Sequence, residues 1–190
     1  MNRRDALSRV ALLVGGTVIG AEFFLSGCKA NDEKYGATVD FTEKDIAYLD
    51  EIAETIIPQT DTPGAKAAKV GAFMAVMVKD TYNEKQQKAF TDGMNTLNEE
   101  TNKKFKSGFM QVTPEQRKEM LVALDTEAKE FARTKEKDAP PHYFTLMKQL
   151  TLLGYFTSEV GATQALNYVP IPGKYDGCLP YKKGDKAYAL

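Results

Sequence analysis

The chain has 190 residues, of which 43% are hydrophobic and 27% are charged, and its formal net charge is -1. This composition allows an ordinary core in one domain and excludes wholesale disorder. Because there is no basic excess to neutralise phosphates, it also argues against nucleic-acid binding.

The first 27 residues have the pattern of an export signal. Basic residues at the start precede an apolar run from Val10 to Ala21, which is shorter than the roughly 20 residues needed to cross a bilayer. The next segment resembles the lipobox of bacterial lipoproteins and reads Leu25, Ser26, Gly27 and Cys28. We predict that residues 1–27 are removed and that Cys28 becomes the lipid-bearing first residue. An uncleaved signal anchor with a coincidental cysteine is the alternative.

The pair Arg3 and Arg4 resembles a twin-arginine export signal, although the usual bulky apolar residue falls at Leu7 instead of Ala6. An ordinary basic start is the alternative. Twin-arginine export carries proteins that are already folded, so the folded cargo here would be a partner. Together these features predict a location in the cell envelope, anchored to a membrane by lipid and facing the periplasm.

The two cysteines, Cys28 and Cys178, are one candidate disulfide in an exported protein. Lipidation of Cys28 would use up its thiol and rule that disulfide out.

The mature chain divides into a polar lipidated tether, residues 28–41, and a helical domain, residues 42–190. Five stretches carry apolar residues at helical spacing, approximately over 42–57, 67–81, 83–106, 113–135 and, after two prolines, up to 158. Thr42 and Thr113 have the pattern of capping boxes. No stretch alternates convincingly at period two, so we predict an all-α, irregular bundle of about five helices. Positions expected to face inward include Leu49, Ile52, Phe90, Phe105 and Phe131.

The character of the sequence changes from Gly161 onward. Residues 166–181 hold three prolines, two glycines and three tyrosines. Proline fixes φ and removes a donor, so this segment is not helical. Because it is too apolar for a solvated tail, we predict an extended segment lying over the bundle or over another protein.

The loop between the first two helices is the most unusual feature in the middle of the chain. Thr60, Asp61 and Thr62 can satisfy backbone N–H groups, and Pro63-Gly64 favours a tight turn. The loop is either a plain connector or a binding loop.

Catalytic and cofactor motifs are absent from the sequence. It has no G-x-S-x-G elbow, no C-x-x-C or other metal-ligand spacing, no G-x-G-x-x-G and no P-loop. His142, the only histidine, opens a helix after two prolines, which favours a structural or capping role. We therefore predict no catalytic residue, metal or cofactor in this chain. An independent enzyme that uses His142 is the alternative.

Three segments, at about 55–65, 153–161 and 168–178, resemble the gluconate 2-dehydrogenase subunit 3 family, and the resemblance spans about residues 45–179. It implies a small, non-catalytic subunit of a membrane-associated dehydrogenase. The implied partner is a large flavoprotein of the glucose–methanol–choline oxidoreductase (GMC) type that carries FAD and often passes electrons to a cytochrome c. Small subunits of the family often supply the twin-arginine signal that their flavoprotein lacks.

We therefore predict an accessory subunit that escorts a sugar or polyol dehydrogenase and holds it at the membrane. Aromatic side chains are common interface anchors. The residues predicted to contact the partner are Thr60, Asp61, Thr62, Pro63, Tyr168, Tyr175, Asp176 and Cys178. A free-standing envelope lipoprotein that binds a ligand or another partner is the alternative from a different class.

Overall fold

The computed structural model describes residues 34–171, 173–174 and 177–189. This part contains the α-helices α1 (Glu43–Ile56), α2 (Val70–Thr81), α3 (Glu84–Phe105), α4 (Pro114–Thr134) and α5 (Tyr143–Thr157). A π-helical turn, Gly161–Ala165, follows α5. Two short strands, β1 (Asn167–Tyr168) and β2 (Tyr188–Ala189), pair in parallel. The prediction of an all-α bundle is confirmed.

Three helices begin where local sequence predicts, because each has a complete capping box. In each box the first side chain accepts from the backbone of the third helical residue, whose side chain accepts in return from the cap's backbone N–H. The pairs are Thr42 with Asp45, Asn83 with Gln86, and Thr113 with Gln116.

Helix α5 is central to the bundle, since it packs against all four other helices. Its sequence suits that position, because Lys148 is the only charged residue in its 15 positions. Burying so apolar a helix supplies much of the driving force for folding. The core around it includes the fully buried side chains of Leu49, Ile52, Met74, Phe90, Leu97 and Met147.

Helix α2 begins at Val70, three residues later than predicted. Lys69 adopts the left-handed conformation (φ 53°), and the Val70 N–H donates to the Ala65 carbonyl at 3.3 Å. The apolar spacing continues through the preceding turn, so periodicity alone places the start of the helix too early.

The predicted tether does not extend to residue 41, because Tyr35 is part of the core. Its ring is 1% exposed and stacks on Tyr48 with 3.9 Å between ring centroids. Asn95 brackets its backbone, accepting from the Tyr35 N–H at 2.8 Å and donating to the Tyr35 carbonyl at 2.7 Å. The Gly36 N–H donates to Asp45 at 2.8 Å. The Tyr35 ring thus packs against the bundle although the residues around it have the polar composition of a tether.

Two of the residues predicted to face inward are not fully buried in the structure. Phe105 is only half-buried and Phe131 is exposed, because each lies near the end of its helix, where the apolar stripe leaves the core. Leu49, Ile52 and Phe90 are fully buried as predicted. The C-terminal segment also starts with a helical turn before the backbone becomes extended at Leu166.

Candidate functional site

The loop between α1 and α2 is held at both ends by one carboxylate, that of Glu54 on α1. Its Oε1 accepts from the Gln59 N–H at 2.9 Å, and its Oε2 accepts from the Lys66 N–H at 2.8 Å. Gly64 fits under this clamp, because an added Cβ would lie 2.3 Å from Glu54 Oε1. The loop is therefore a fixed structure.

The predicted capping roles of Thr60, Asp61 and Thr62 are not seen. The Thr60 N–H donates to the Thr62 carbonyl at 2.9 Å, and none of the described hydrogen bonds uses the side chains of these three residues. Thr60 and Asp61 are exposed, whereas Thr62 and Pro63 are half-buried. A rigid loop thus presents polar side chains that are available to another molecule.

Tyr155 at the end of α5 joins this loop to the C-terminal segment. Its hydroxyl donates to the Pro63 carbonyl at 2.7 Å. Its carbonyl accepts from the Ser158 N–H and hydroxyl, and Ser158 Oγ in turn accepts from the Gly161 N–H at 3.0 Å. The loop and the start of the C-terminal segment therefore meet within the length of one tyrosine side chain.

Beside Tyr155, α5 has an unpartnered apolar face. Leu152, Leu153 and Phe156 share that face at helical spacing and are 41–46% exposed. The Phe156 ring lies edge-on to the Tyr155 ring at 5.2 Å. Sequence reasoning missed this face, since the same residues fit a buried stripe equally well.

The described part of the C-terminal segment lies mostly on the surface. Tyr168 is about half exposed, and Cys178 is exposed. Tyr175 and Asp176 lie outside the described residues. The Asn167 N–H donates to the Ala187 carbonyl at 2.8 Å and the Val169 N–H to the Ala189 carbonyl at 2.9 Å, which returns the chain end to the bundle. The name loop–tail surface denotes five exposed residues of the loop, the α5 face and β1, without implying contact among them: Thr60, Asp61, Leu153, Phe156 and Tyr168.

A polar cleft of about 450 Å³ between α1 and α4 borders the loop at Pro58 and Gln59. Its main feature is an ion pair between Glu51 and Arg117. The same guanidinium donates to the carbonyls of Phe109 and Met110 at 3.0 and 2.8 Å. Arg117 is thus used in tying the α3–α4 connection to α1, a structural role.

His142 caps α5 at the opposite end from Tyr155. Its Nδ1 accepts from the Phe144 N–H at 3.2 Å, and its Nε2 lies 3.6 Å from Glu127. Burial lowers the pKa of His142, and the neighbouring Glu127 opposes that shift. The adjacent Tyr143 hydroxyl is buried without a hydrogen-bond partner, and burial raises the pKa of this phenol. The predicted capping role of His142 is confirmed.

Across residues 34–171, 173–174 and 177–189, no group of three or more His, Cys, Asp or Glu side chains is arranged to hold a metal ion. Within those ranges no helix combines the length and apolar character needed to cross a membrane. The export and lipidation residues, Arg3, Arg4, Leu25, Ser26, Gly27 and Cys28, lie outside the described residues, so those assignments stay predictions.

Two residues of the site, Glu54 and Tyr155, escape sequence reasoning. Both side chains form hydrogen bonds with backbone atoms of the loop, which local sequence does not reveal. The Tyr155–Pro63 bond spans 92 positions of sequence. The local sequence indication of the clamp is a glutamate four positions before Pro58.

Fold and site together define a small helical domain, in which the α1–α2 loop and the start of the C-terminal segment both bond to Tyr155 or its cap beside an exposed apolar helix face. The chain belongs to the gluconate 2-dehydrogenase subunit 3 family, whose family model matches residues 43–173. The predicted resemblance is thereby confirmed, although the match ends before Tyr175, Asp176 and Cys178. No curated protein and no solved structure matches the chain significantly.

Proposed function

We propose that this chain is the accessory subunit of an FAD-dependent sugar or polyol dehydrogenase of the GMC type, which it escorts through export and holds at a membrane. Membership of a family named for a dehydrogenase subunit supports a dehydrogenase partner. In this proposal the FAD belongs to the partner, a cytochrome c takes the electrons, and this chain supplies binding surface.

The observation that carries the proposal is the meeting of loop and tail at Tyr155. Interfaces that bind well combine a central apolar or aromatic patch with a polar rim. The loop–tail surface has this composition, since Phe156, Leu153 and Tyr168 are apolar or aromatic and Thr60 and Asp61 are polar. Because Glu54 and Tyr155 fix the loop, little conformational entropy is lost on docking.

Export and anchoring rest on the sequence of residues 1–28. The paired Arg3 and Arg4 would direct a folded complex through the twin-arginine route, and the acyl chains on Cys28 would then hold it. Each buried CH₂ contributes about 0.8 kcal/mol, so several acyl chains make release negligible. The complex would face the periplasm, where an electron acceptor at the membrane lies within reach.

The test is isolation of the affinity-tagged lipoprotein from its native membrane, with absorbance spectra recorded for bound flavin. We expect a yellow flavoprotein to co-purify with the wild type. The double substitution Leu153→Ala/Phe156→Ala and the single substitution Tyr168→Ala should each reduce the flavin-to-lipoprotein ratio at least tenfold, as hot-spot truncations do. Tyr175→Ala and Asp176→Ala extend the test to the predicted contacts that lie outside the described residues.

Val122→Ala on α4 is the control, because it truncates an exposed apolar side chain that does not belong to the loop–tail surface. It should leave the flavin ratio unchanged. Repeated isolation of the wild type without flavin would contradict the proposal and favour a free-standing envelope lipoprotein. If all the variants kept the wild-type flavin ratio, the partner would bind at a surface other than the loop–tail surface.

A further inference from the structure

The end of the described chain forms a compact turn, Tyr181–Tyr188, here called the basic turn. The Lys182 N–H donates to Asp185 Oδ2 at 2.7 Å, and the Asp185 N–H donates to the Lys182 carbonyl at 3.0 Å. Gly184 allows this geometry with φ +100°. Lys186 Nζ donates to the Gln164 carbonyl at 2.5 Å, which ties the turn to the end of the bundle.

The basic turn differs in charge from the rest of the mature chain. From Val160 to the end there are four lysines against two aspartates, whereas residues 28–159 have an excess of acids. Lys182 and Lys183 are exposed and take part in none of the described ion pairs. The protein is nearly neutral as a whole, but lysines outnumber acidic residues in this turn.

Exposed aromatic and aliphatic side chains flank those lysines in the sequence. Tyr181 is 75% exposed and Tyr188 55%, and Leu179 and Ile171 are exposed nearby in the chain. Tyrosine is enriched at the membrane–water interface, where its ring meets acyl chains and its hydroxyl stays wet. Lysine keeps its charge among anionic headgroups while its methylenes cover apolar surface.

The distance available to the bundle is limited by the burial of Tyr35. Tyr35 lies seven positions after Cys28, and a chain of that length spans at most about 25 Å. Helix α3, with 22 residues, is about 33 Å long, so the fully extended tether is shorter than the longest helix of the bundle. A bundle anchored at Cys28 would therefore stay close enough to the bilayer for weak contacts to form.

We propose that the basic turn binds the surface of an anionic phospholipid bilayer, with Lys182 and Lys183 among the headgroups and the Tyr181 and Tyr188 rings at the interface. The lipid anchor of the proposed function would bring the turn to the bilayer, but the contact itself belongs to the turn. Lipid is favoured over the dehydrogenase as occupant, because exposed lysines that follow an exposed tyrosine in the chain suit anionic headgroups at a membrane–water interface.

The experiment uses the mature chain, residues 28–190, with Cys28→Ser so that no lipid is attached. Co-sedimentation is measured with vesicles of phosphatidylcholine alone and with vesicles containing about one-third phosphatidylglycerol. We expect binding only to the phosphatidylglycerol vesicles, and weaker binding as salt is added. Lys182→Gln/Lys183→Gln should reduce the partition coefficient about 25-fold, at about fivefold for each lysine. Tyr181→Ala should reduce it on its own.

Lys85→Gln/Lys137→Gln removes the same charge from exposed positions elsewhere and should bind as the wild type does. Equal binding to both vesicle types, or undiminished binding by Lys182→Gln/Lys183→Gln, would overturn the proposal. The proposal would also be overturned if Lys182→Gln/Lys183→Gln bound vesicles normally but no longer co-purified with the flavoprotein. That result would show that the turn contacts the dehydrogenase. The vesicle assay contains neither anchor nor partner, so its failure leaves the accessory-subunit proposal standing.

Discussion

The hydroxyl of Tyr155 donates a hydrogen bond to the carbonyl of Pro63 across 2.7 Å and 92 positions of sequence. This contact links the last turn of the central helix to the loop that follows the first. The Tyr155 carbonyl also accepts from the Ser158 hydroxyl. One residue therefore bonds both to the loop and to the residue that leads into the C-terminal segment.

Tyr155→Phe should lower the free energy of unfolding by about 1–2 kcal/mol, because the ring still packs but the Pro63 carbonyl loses its donor. Urea unfolding followed by circular dichroism measures the change. Tyr82→Phe is the matched control, since the half-buried Tyr82 hydroxyl makes none of the described hydrogen bonds. Equal effects of the two substitutions would show that the Tyr155 bond contributes nothing.

Gly64→Ala should destabilise the chain by about 1–3 kcal/mol, because the new Cβ would overlap the Glu54 carboxylate and the Gln59 nitrogen. Since most of the overlap is with Glu54, the same substitution should cost less in a Glu54→Ala background. A double-mutant cycle in urea measures that coupling. Strict additivity of the two effects would argue against the clamp.

A chain that begins at residue 34 should unfold at the same urea concentration as the mature chain, whereas one that begins at residue 42 should be clearly less stable. The reason is the loss of the Tyr35 ring from its stack on Tyr48. Tyr35→Ala in the full mature chain should reproduce most of that loss, about 3–5 kcal/mol. If the shorter chain kept full stability, the domain would begin at residue 42 after all.

Stability should fall as the pH drops through about 6.5, the ordinary pKa of histidine. Because burial lowers the pKa of His142 in the folded chain, the unfolded chain binds the extra proton more readily, and acid favours unfolding. Protonation also removes the Nδ1 acceptor that caps Phe144. His142→Asn retains a capping acceptor and does not titrate, so its urea midpoint should shift less between pH 7.5 and about 5.5.

A substitution of the neighbouring Glu127 tests the same prediction independently. Its carboxylate favours the protonated imidazole, so Glu127→Gln should lower the pKa of His142 further and enlarge the acid-induced loss. An identical pH response in the wild type, His142→Asn and Glu127→Gln would exclude His142 as the titrating group.

The five helices were predictable from sequence because their determinants are local. A capping box involves four consecutive residues, as in Thr113–Gln116, and an apolar stripe repeats every three or four positions. The late start of α2 was not predictable, since it depends on the left-handed conformation of Lys69, for which the residue type gives no indication.

The candidate site was predictable only as two segments of unusual composition. Thr60, Asp61 and Tyr168 were recognised because proline, glycine and tyrosine interrupt the helical pattern around them. The link between the end of α5 and the loop, the Tyr155 hydroxyl, depends on the packing of α5 against α1 and α2. The burial of Tyr35 was missed for the same reason, because its partners Tyr48 and Asn95 are remote in sequence.

The described bonds that hold β1 and β2 include two backbone bonds, Asn167 N–H to the Ala187 carbonyl and Val169 N–H to the Ala189 carbonyl, and the contact of Lys186 with the Gln164 carbonyl. Because a two-stranded pair opens more often than a five-helix core unfolds, we expect the two strands to form a separate unit of local stability. Their amides should exchange with deuterium well before those of α5. Opening of this strand pair should therefore occur while the five helices stay packed.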